Sequence, residues 1–393
     1  MHLEEIRALE KRYVMQTYGR NEIALVSGEG ARLRDSEGKE YIDLTSGIGV
    51  NCLGYHHPAL SAAISDQAQK LMHCSNLFYS EPMAQVAEHL VKSTGLSRVF
   101  FANSGAEANE AMIKTARKYS SDRYGKDRYK IITLRQSFHG RTMTTLMATG
   151  QDKFHQYFYP LPEGFAYVEA GDLAQFKSCA DEHVCAVIME MIQGEGGVLP
   201  LDQAFVQEVS AYCKAHDILV CVDEVQTGIG RTGTLFCYEQ YGIEPDIVSM
   251  AKGLGGGVPI GAILCGEKCA DTLQPGQHGS TFGGNLLACR AAQTVLSVVD
   301  QPQFLASVKE KGEYIREQLL AMHSPAIREV RGMGLMLGIG VDPQKRSDYV
   351  RALQEKGVLV LTAGEDTIRL LPPLVITKED IDQALACMKE VLK

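Results

Sequence analysis

Residues 218–265 read ILVCVDEVQTGIGRTGTLFCYEQYGIEPDIVSMAKGLGGGVPIGAILC, and three short apolar runs in this stretch decide the fold. The runs are ILVCV, DIVSMA and GAILC, and polar or glycine-rich segments separate them. Similar runs, VFFA, IITL and AVIMEMI, precede them from Val99 onward, with longer helix-like stretches between. Continuous apolar strands that alternate with helices are typical of a mostly parallel sheet covered on both faces. The sequence therefore predicts an α/β fold.

The pattern changes near Asn285, which predicts a second, smaller domain. A long alanine-rich helix, LLACRAAQTVLSVV, follows that residue, and charged helical and strand-like segments continue to the C-terminus. Before about Val50 we expect an N-terminal helix and a hairpin, because turn residues at 35–38 separate two strand-like segments. The predicted parts are an N-terminal segment, 1–50, that packs with the small domain, a large domain, 51–285, and a smaller α+β C-terminal domain, 286–393.

Composition and charge limit which classes of binding partner are expected. The chain has 393 residues and a formal net charge of -9, so no broad positive surface and no nucleic acid partner are expected. The 11 cysteines lack metal-ligand spacing, so no metal is expected, and Cys221 and Cys265 lie in apolar runs typical of buried thiols. The first residues are charged throughout, and no segment approaches about 18 uninterrupted apolar residues. We therefore expect a cytoplasmic protein with no membrane segment.

Small residues follow the run VFFA and lead directly into an alanine-rich helix. Ligands bind beyond the carboxyl ends of the strands in open parallel sheets, so the residues after each run are considered together. In NSGAEANEA, the Ser104 hydroxyl and the backbone amides of Gly105 and Ala106 can bind a phosphate at the positive end of the helix dipole. By itself, a Ser-Gly turn at the start of a helix is more often purely structural.

An aromatic residue, a histidine and an arginine follow the run IITL, in the segment RQSFHGRT. Phe138 can cover the face of a flat cofactor ring, and Arg141 can bind a carboxylate through its two-pronged guanidinium. A core phenylalanine and a surface ion pair are the structural alternatives. A lone histidine such as His139 is more often structural than catalytic.

Ionisable residues follow two later strand-like runs. Asp223 follows ILVCV, where a buried carboxylate needs a positive partner such as a protonated pyridine nitrogen; a capping aspartate is the alternative. Lys252 follows DIVSMA, where burial would lower the pKa of its amine and suit it to imine formation; a lysine extended toward solvent is the alternative. A phosphate seat, a ring cover, a pyridinium partner and an amine at successive strand ends favour the functional interpretation.

Long fragments of the chain resemble the class III aminotransferases of fold type I, most closely the acetylornithine aminotransferases. The fragments are NSGAEANEA, FHGRT, EMIQGEGGV, VDEVQTGIGRTG, AKGLGGGVPIGA, HGSTFGGN and IRLLPPL, and the match covers nearly the whole chain. Met191 and Leu286 replace prolines that are common in the family, and neither is an expected cofactor contact. The resemblance implies a fold type I transferase that uses pyridoxal 5'-phosphate.

The resemblance also implies the roles of individual residues toward this cofactor. Lys252 is then the Schiff-base lysine, Asp223 pairs with the pyridinium, and Gln226 forms a hydrogen bond with the ring phenolic oxygen. Phe138 covers the ring, while the phosphate is held at Ser104, Gly105 and Ala106.

The resemblance further implies a homodimer and a site for small amino-acid and 2-oxo-acid substrates. Thr281 and Ser280 then reach in from the neighbouring subunit, Thr281 to the phosphate and Ser280 toward the substrate. Arg141 holds the substrate carboxylate that is distant from the reacting carbon. Arg369 holds the carboxylate next to the reacting carbon of glutamate, and Glu195 neutralises this arginine when an amine without that carboxylate is bound.

The implied activity is transfer of the terminal amine of an N2-acylated ornithine to 2-oxoglutarate. Gly47 matches a tyrosine with which ornithine aminotransferases hold the free α-amine, so a glycine suits an acylated substrate; a backbone turn is the alternative reason. The other readings are a succinylornithine, ornithine or 4-aminobutyrate aminotransferase, an aminomutase, and a catalytically silent cofactor-binding protein. A substrate panel, dependence on 2-oxoglutarate and the cofactor absorbance separate them.

Overall fold

A computed structural model describes residues 1–393, in which helices and strands alternate along most of the chain. The α-helices are α1 (Leu3–Tyr13), α2 (Ser46–Gly49), α3 (Pro58–Lys70), α4 (Glu81–Thr94), α5 (Gly105–Tyr124), α6 (Met143–Ala148), α7 (Leu173–Cys179), α8 (Gly194–Gly197), α9 (Gln203–Ala215), α10 (Leu286–Val299), α11 (Pro302–Ala321), α12 (Arg346–Glu355) and α13 (Lys378–Val391). The strands are β1 (Leu25–Glu29), β2 (Arg32–Asp35), β3 (Glu40–Asp43), β4 (Arg98–Ala102), β5 (Lys130–Leu134), β6 (Phe165–Val168), β7 (Val184–Met189), β8 (Ile192–Gln193), β9 (Leu199–Pro200), β10 (Leu219–Asp223), β11 (Ile247–Met250), β12 (Gly261–Cys265), β13 (Glu329–Met333), β14 (Met336–Gly340), β15 (Val358–Leu359), β16 (Leu361–Ala363) and β17 (Thr367–Leu370).

A seven-stranded sheet in the order β4-β12-β11-β10-β7-β5-β6 forms the centre of the fold. Strands β11, β10, β7, β5 and β6 run parallel to one another, which confirms the predicted mostly parallel sheet. Alternate residues of β7 enter two different core clusters: Val187 and Met189 join the larger, and Ala186 and Ile188 pack with α5 in the smaller. Both faces of the sheet are therefore covered, which is why its strands are continuous apolar runs.

Two strands of this sheet differ from the expectation. Strand β12 is antiparallel to both of its neighbours, β11 and β4. Only residues 251–260 connect β11 to β12, which is too short for the crossover of a dozen or more residues that parallel strands need. Strand β6 was not predicted, because this edge strand has four residues of which three are only partly buried.

Two further sheets involve the two ends of the chain. The first has the order β1-β2-β3-β15, and its β2–β3 hairpin, with Arg34 opposite Glu40, confirms the predicted turn. Strand β15 pairs parallel to β3 and so joins the C-terminal part of the chain to the N-terminal segment. The second is the sheet β13-β14-β17-β16, in which the neighbouring strands are antiparallel. The domain boundaries at 50 and 285 stay a prediction, because one core cluster of 68 buried residues extends from Ala31 to Leu392.

The expectation of a helix after Asn285 is met. The alanine-rich segment forms α10, whose buried residues face the core at helical spacing. All cysteines are free thiols, and Cys221 and Cys265 are buried in the central sheet, where burial raises the pKa of Cys265 to about 12. None of the helices combines the length and the apolar character that crossing a membrane requires.

Candidate active site

A cavity of about 600 Å³ opens where β4, β5, β7, β10 and β11 end. Eight of the residues predicted from the sequence line it: Ser104, Gly105, Ala106, Phe138, Arg141, Asp223, Gln226 and Lys252. These residues come from four strand ends that are far apart in sequence, and the sheet brings them to one edge. The remaining five predicted residues lie outside this lining: Gly47, Glu195, Ser280, Thr281 and Arg369.

Lys252 follows β11 and carries the only amine in the wall of this cavity. Its φ of +43° lies in the left-handed region, which residues with a side chain adopt rarely and at an energetic cost. Burial is the main cause that lowers the pKa of this amine, while the negative charge of Glu195 opposes the shift. A lowered pKa increases the fraction of neutral amine, which is the nucleophilic form.

Asp223 ends β10 as the centre of a buried hydrogen-bond network. Its Oδ2 accepts from Asn109 Nδ2 at 2.7 Å and from His139 Nδ1 at 2.8 Å, and its Oδ1 accepts from the Val225 backbone at 3.0 Å. Ser249 Oγ in turn donates to Asn109 Oδ1 at 2.6 Å, which turns the amide NH₂ of Asn109 toward the carboxylate. The carboxylate is thus held in one orientation as an acceptor at the floor of the cavity.

The start of α5 provides backbone donors next to this network. Ser104 is the N-cap and accepts from the Glu107 backbone at 3.2 Å, while the first amides of the helix have no acceptor within it. At position 105 a Cβ would lie 2.6 Å from Val225 Cγ1, so only glycine fits here without displacing that side chain. The bare helix terminus can therefore receive an anion, as the helix dipole favours.

Phe138 and Arg141 follow β5 on another side of the cavity. The Phe138 backbone donates to Glu190 Oε2 at 2.9 Å, which anchors this loop to the residue directly after β7. The exposed guanidinium of Arg141 lies 5.6 Å from the centre of the Phe138 ring and 4.1 Å from that of Phe154. These cation–π contacts hold the guanidinium at the mouth and leave its N–H groups available for a carboxylate.

Glu195 and Arg369 form an ion pair beside Gln226. Arg369 Nη1 donates to Glu195 Oε1 at 2.6 Å and to Gln226 Oε1 at 3.1 Å, and the Arg369 side chain is only 3% exposed. Burial by itself would raise the pKa of Glu195, but the charge and hydrogen bond of Arg369 outweigh it and lower the pKa below its usual value. The pair is therefore ionised at neutral pH and joins two of the residues predicted to bind substrate.

Comparison with known proteins identifies the family of this chain. The aminotransferase class-III family matches residues 13–392. The chain belongs to the class III aminotransferases. It is 50% identical to the acetylornithine aminotransferase of Haemophilus ducreyi, over 100% of this chain and 99% of that protein.

Two solved structures show the same fold over almost the whole length. The ornithine aminotransferase from Toxoplasma gondii has a TM-score of 0.96 and 32% identity, and the match covers 100% of this chain and 95% of that one. The N-acetylornithine aminotransferase from Stenotrophomonas maltophilia has a TM-score of 0.84 and 38% identity, covering 98% and 97%. The fold type I architecture predicted from the sequence is confirmed.

Class III aminotransferases use pyridoxal 5'-phosphate, and the cavity residues of this family member fit that cofactor. The bare start of α5 suits a phosphate, the amine of Lys252 suits an aldehyde, and the oriented carboxylate of Asp223 suits a pyridine nitrogen. His139 Nε2 is buried without a hydrogen-bond partner, so this nitrogen can form a hydrogen bond with a further polar group at the floor of the cavity. The chain is a pyridoxal-phosphate-dependent transaminase.

The structure places residues in this class III site that sequence reasoning missed. Glu190 lines the cavity, and burial first, then the charge of Asp223, raises the pKa of its carboxyl well above the usual value. Glu190 directly follows β7. The rule that ligands bind beyond the carboxyl ends of strands, which pointed to Asp223, therefore points to Glu190 as well. Asn109 lies one helical turn after Gly105 and could have been found by helical spacing. Tyr18 lines the cavity from the N-terminal segment, where no strand-end signal exists.

Ser280 is half-buried and Thr281 is exposed, near the start of α5. Ser280 Oγ accepts from Asn103 Nδ2 at 3.0 Å and from the Gly283 backbone at 2.9 Å, and neither Ser280 nor Thr281 lines the cavity of its own chain. Their predicted roles therefore depend on a second subunit.

Proposed function

We propose that the chain transfers the terminal amine of N2-acetylornithine to 2-oxoglutarate, giving N-acetylglutamate 5-semialdehyde and glutamate, a step of arginine biosynthesis. The full-length identity of 50% to an acetylornithine aminotransferase supports this substrate. The single structural observation that carries the proposal is the Glu195–Arg369 ion pair beside Gln226. Such a pair would allow one site to accept in turn an amine without a nearby carboxylate and a dicarboxylic acid.

Five residues would hold the cofactor by its phosphate and ring. The backbone at Ser104, Gly105 and Ala106 would bind the phosphate through the N-terminus of α5. Phe138 would cover one face of the ring, and Gln226 would donate to its phenolic oxygen. When bound, pyridoxal phosphate supplies an electron sink that stabilises negative charge on the carbon next to the transferred nitrogen.

Asp223 would keep the pyridine nitrogen protonated. Its carboxylate is fixed by Asn109, His139 and the Val225 backbone, so little reorganisation is needed when charge develops during the reaction. All of these partners donate to the carboxylate oxygens and so hold them in one orientation.

Lys252 would act first as the covalent anchor of the cofactor and then as the general base. With its amine free, Lys252 would accept a proton from the substrate carbon that bears the transferred nitrogen and would later donate that proton. Burial lowers the pKa of Lys252 and so increases the neutral fraction of its amine, which is the form that can accept this proton.

Arginines at two sites would bind the substrate carboxylates. Arg141 at the mouth would hold the distant α-carboxylate of acetylornithine, which places the terminal amine near Lys252. Arg369 would remain paired with Glu195 in that half-reaction, because acetylornithine has no carboxylate there. In the second half-reaction the 1-carboxylate of 2-oxoglutarate would replace Glu195 on Arg369.

A homodimer in the cytoplasm is also part of the proposal. Large apolar side chains are exposed near Thr281: Phe282 is 59% exposed, Leu77 86%, Phe78 68% and Tyr79 106%. Asn76, beside three of them, donates to the Ser280 and Gly283 backbones at 3.0 and 2.9 Å, so these segments form one surface. A second copy that covers this surface would bring Thr281 to the phosphate and Ser280 toward the substrate of its partner.

A steady-state comparison of acetylornithine, succinylornithine, ornithine and 4-aminobutyrate, each with 2-oxoglutarate, tests the proposal. The highest kcat/KM should belong to acetylornithine, with glutamate formed in equal amount to the semialdehyde. A higher value for one of the other amines would assign that substrate instead. Turnover without added 2-oxoglutarate would indicate an aminomutase, and lack of a cofactor absorbance band would indicate a silent binding protein.

A further inference from the structure

Arg231 is a fully buried arginine whose hydrogen-bond acceptors are all uncharged. It is 2% exposed, and its Nη1 donates to the backbone oxygens of Leu335 at 3.0 Å and Pro372 at 2.5 Å. Its Nη2 donates to Ser46 Oγ at 3.4 Å. Burial lowers the pKa of this guanidinium to about 10, so it still carries its charge at neutral pH. A buried charge without a carboxylate in contact is costly, and stability alone is a poor reason for it.

The acceptors of Arg231 belong to three separate segments of the chain that meet at its guanidinium. Ser46 lies in α2, Leu335 lies in the turn between β13 and β14, and Pro372 follows β17. Leu335 also bonds back to Arg231, since its backbone N–H donates to the backbone oxygen of Arg231 at 3.0 Å. Ser46 Oγ also donates to the Leu371 oxygen at 2.6 Å. Arg231 therefore fixes the end of β17 relative to the N-terminal segment and the central sheet.

The same loop holds β17 at a second point. Arg369 lies on β17, three residues before Pro372, and its guanidinium donates to Gln226 Oε1 at 3.1 Å. Gln226 and Arg231 both belong to the connection that follows β10. Gln226 thus holds the side chain of Arg369, while Arg231 holds the backbone just beyond it. Gln226 and Arg231 thus hold β17 at two points, which limits where the Arg369 guanidinium can lie.

We propose that Arg231 is a positioning residue for Arg369, which sets where the carboxylate next to the reacting carbon of a dicarboxylic substrate binds. The inference rests on the proposed function of Arg369. Arg231 itself does not touch the substrate: it acts through Pro372 and β17. Its removal should weaken binding of dicarboxylates and affect the acetylornithine half-reaction much less, because Arg369 contacts no substrate carboxylate in that half.

Glutarate, a dicarboxylate that cannot be transaminated, is the probe. Its Kd for the holoenzyme is measured by calorimetry for the wild type and for Arg231→Met, Arg231→Lys and Arg316→Met. Arg316 is the matched control, because its guanidinium also donates to two backbone oxygens, those of Val330 and Gly332, each at 2.6 Å. We expect Arg231→Met to raise the Kd for glutarate at least about tenfold, equivalent to ~1.4 kcal/mol. Arg231→Lys should lie between Arg231→Met and the wild type, because an ammonium is a point charge without the planar fork.

Rapid-mixing measurements of the two half-reactions complete the test. The KM for 2-oxoglutarate should follow the Kd for glutarate in the Arg231 variants, while kcat/KM for acetylornithine stays within about threefold. An unchanged Kd, or equal losses in both half-reactions, would overturn the inference. If Arg231→Met does not fold, Ser46→Ala removes the bonds to Arg231 and Leu371 and should shift the Kd in the same direction by less. Arg369→Ala separates the two proposals: if it leaves glutarate binding unchanged, the proposed function of Arg369 fails before Arg231 is considered.

Discussion

Replacing Glu195 with glutamine should change the two half-reactions in opposite directions. A dicarboxylic substrate must displace Glu195 from Arg369, an ion pair of 2.6 Å in which the arginine side chain is 3% exposed and the glutamate side chain 30%. A hydrogen bond to a charged group contributes ~1.5–3 kcal/mol, against about 1 kcal/mol for a neutral one. Glutamine would therefore oppose the incoming carboxylate by about 0.5–2 kcal/mol less. Glutamate and 2-oxoglutarate should bind roughly 2- to 30-fold more tightly.

The same substitution should impair the acetylornithine half-reaction. Without the carboxylate at position 195, Arg369 stays charged and unpaired while a substrate without a carboxylate at that place is bound, which costs free energy in a buried site. Glu195 also opposes the lowering of the Lys252 pKa, so its loss lowers that pKa further and makes the amine a weaker base. We expect kcat/KM for acetylornithine to fall at least about tenfold.

Single-turnover mixing of each form of the enzyme with one substrate, followed through the cofactor absorbance, measures the two effects separately. Glu88→Gln is the control, since Glu88 also pairs with a cation, Lys92, at 2.6 Å, but on the exposed surface of α4. That variant should leave both half-reactions within about twofold, as expected for an exposed pair. If Glu195→Gln slowed both half-reactions by one common factor, the exchange of partners on Arg369 would be refuted.

Three further predictions concern the cofactor site and substrate choice. Lys252→Ala should abolish turnover but retain the cofactor through the phosphate and ring contacts. In the wild type, borohydride reduction followed by peptide mapping should find the pyridoxyl label on Lys252. A label on another lysine would contradict the assignment. Asp223→Asn should lower kcat, with an activation barrier raised by several kcal/mol, because a neutral amide does not keep the pyridine nitrogen protonated. The measurement is kcat at full cofactor occupancy, and an unchanged value would remove Asp223 from this role. Gly47→Tyr should shift the kcat/KM ratio toward free ornithine by at least about tenfold. Gly47 has a φ of +59°, so Gly47→Ala carries the same backbone strain without the ring, and an equal effect of the two variants would show that the glycine serves the turn.

The sequence determined the features that depend on local pattern. Continuous apolar runs predicted the buried strands, since a strand covered on both faces has no polar side, and strand ends located Asp223 and Lys252 because ligands bind at that edge. Helix α10 was predicted from its alanine-rich, amphipathic pattern. The pairing of Glu195 with Arg369 was implied only by resemblance, because no local pattern relates residues so far apart in the chain.

The tertiary structure decided what depends on packing between distant segments. The direction of β12 follows from its short connection and its place between β11 and β4, which no apolar run specifies. Tyr18 reaches the cavity only because the N-terminal segment packs against it. His139, unremarkable as a lone histidine, is a partner of Asp223 because β5 and β10 end at the same edge. Arg231 became meaningful only when its three acceptors converged, because hydrogen bonds across long sequence separations are set by the folded backbone and leave no periodic trace in the sequence.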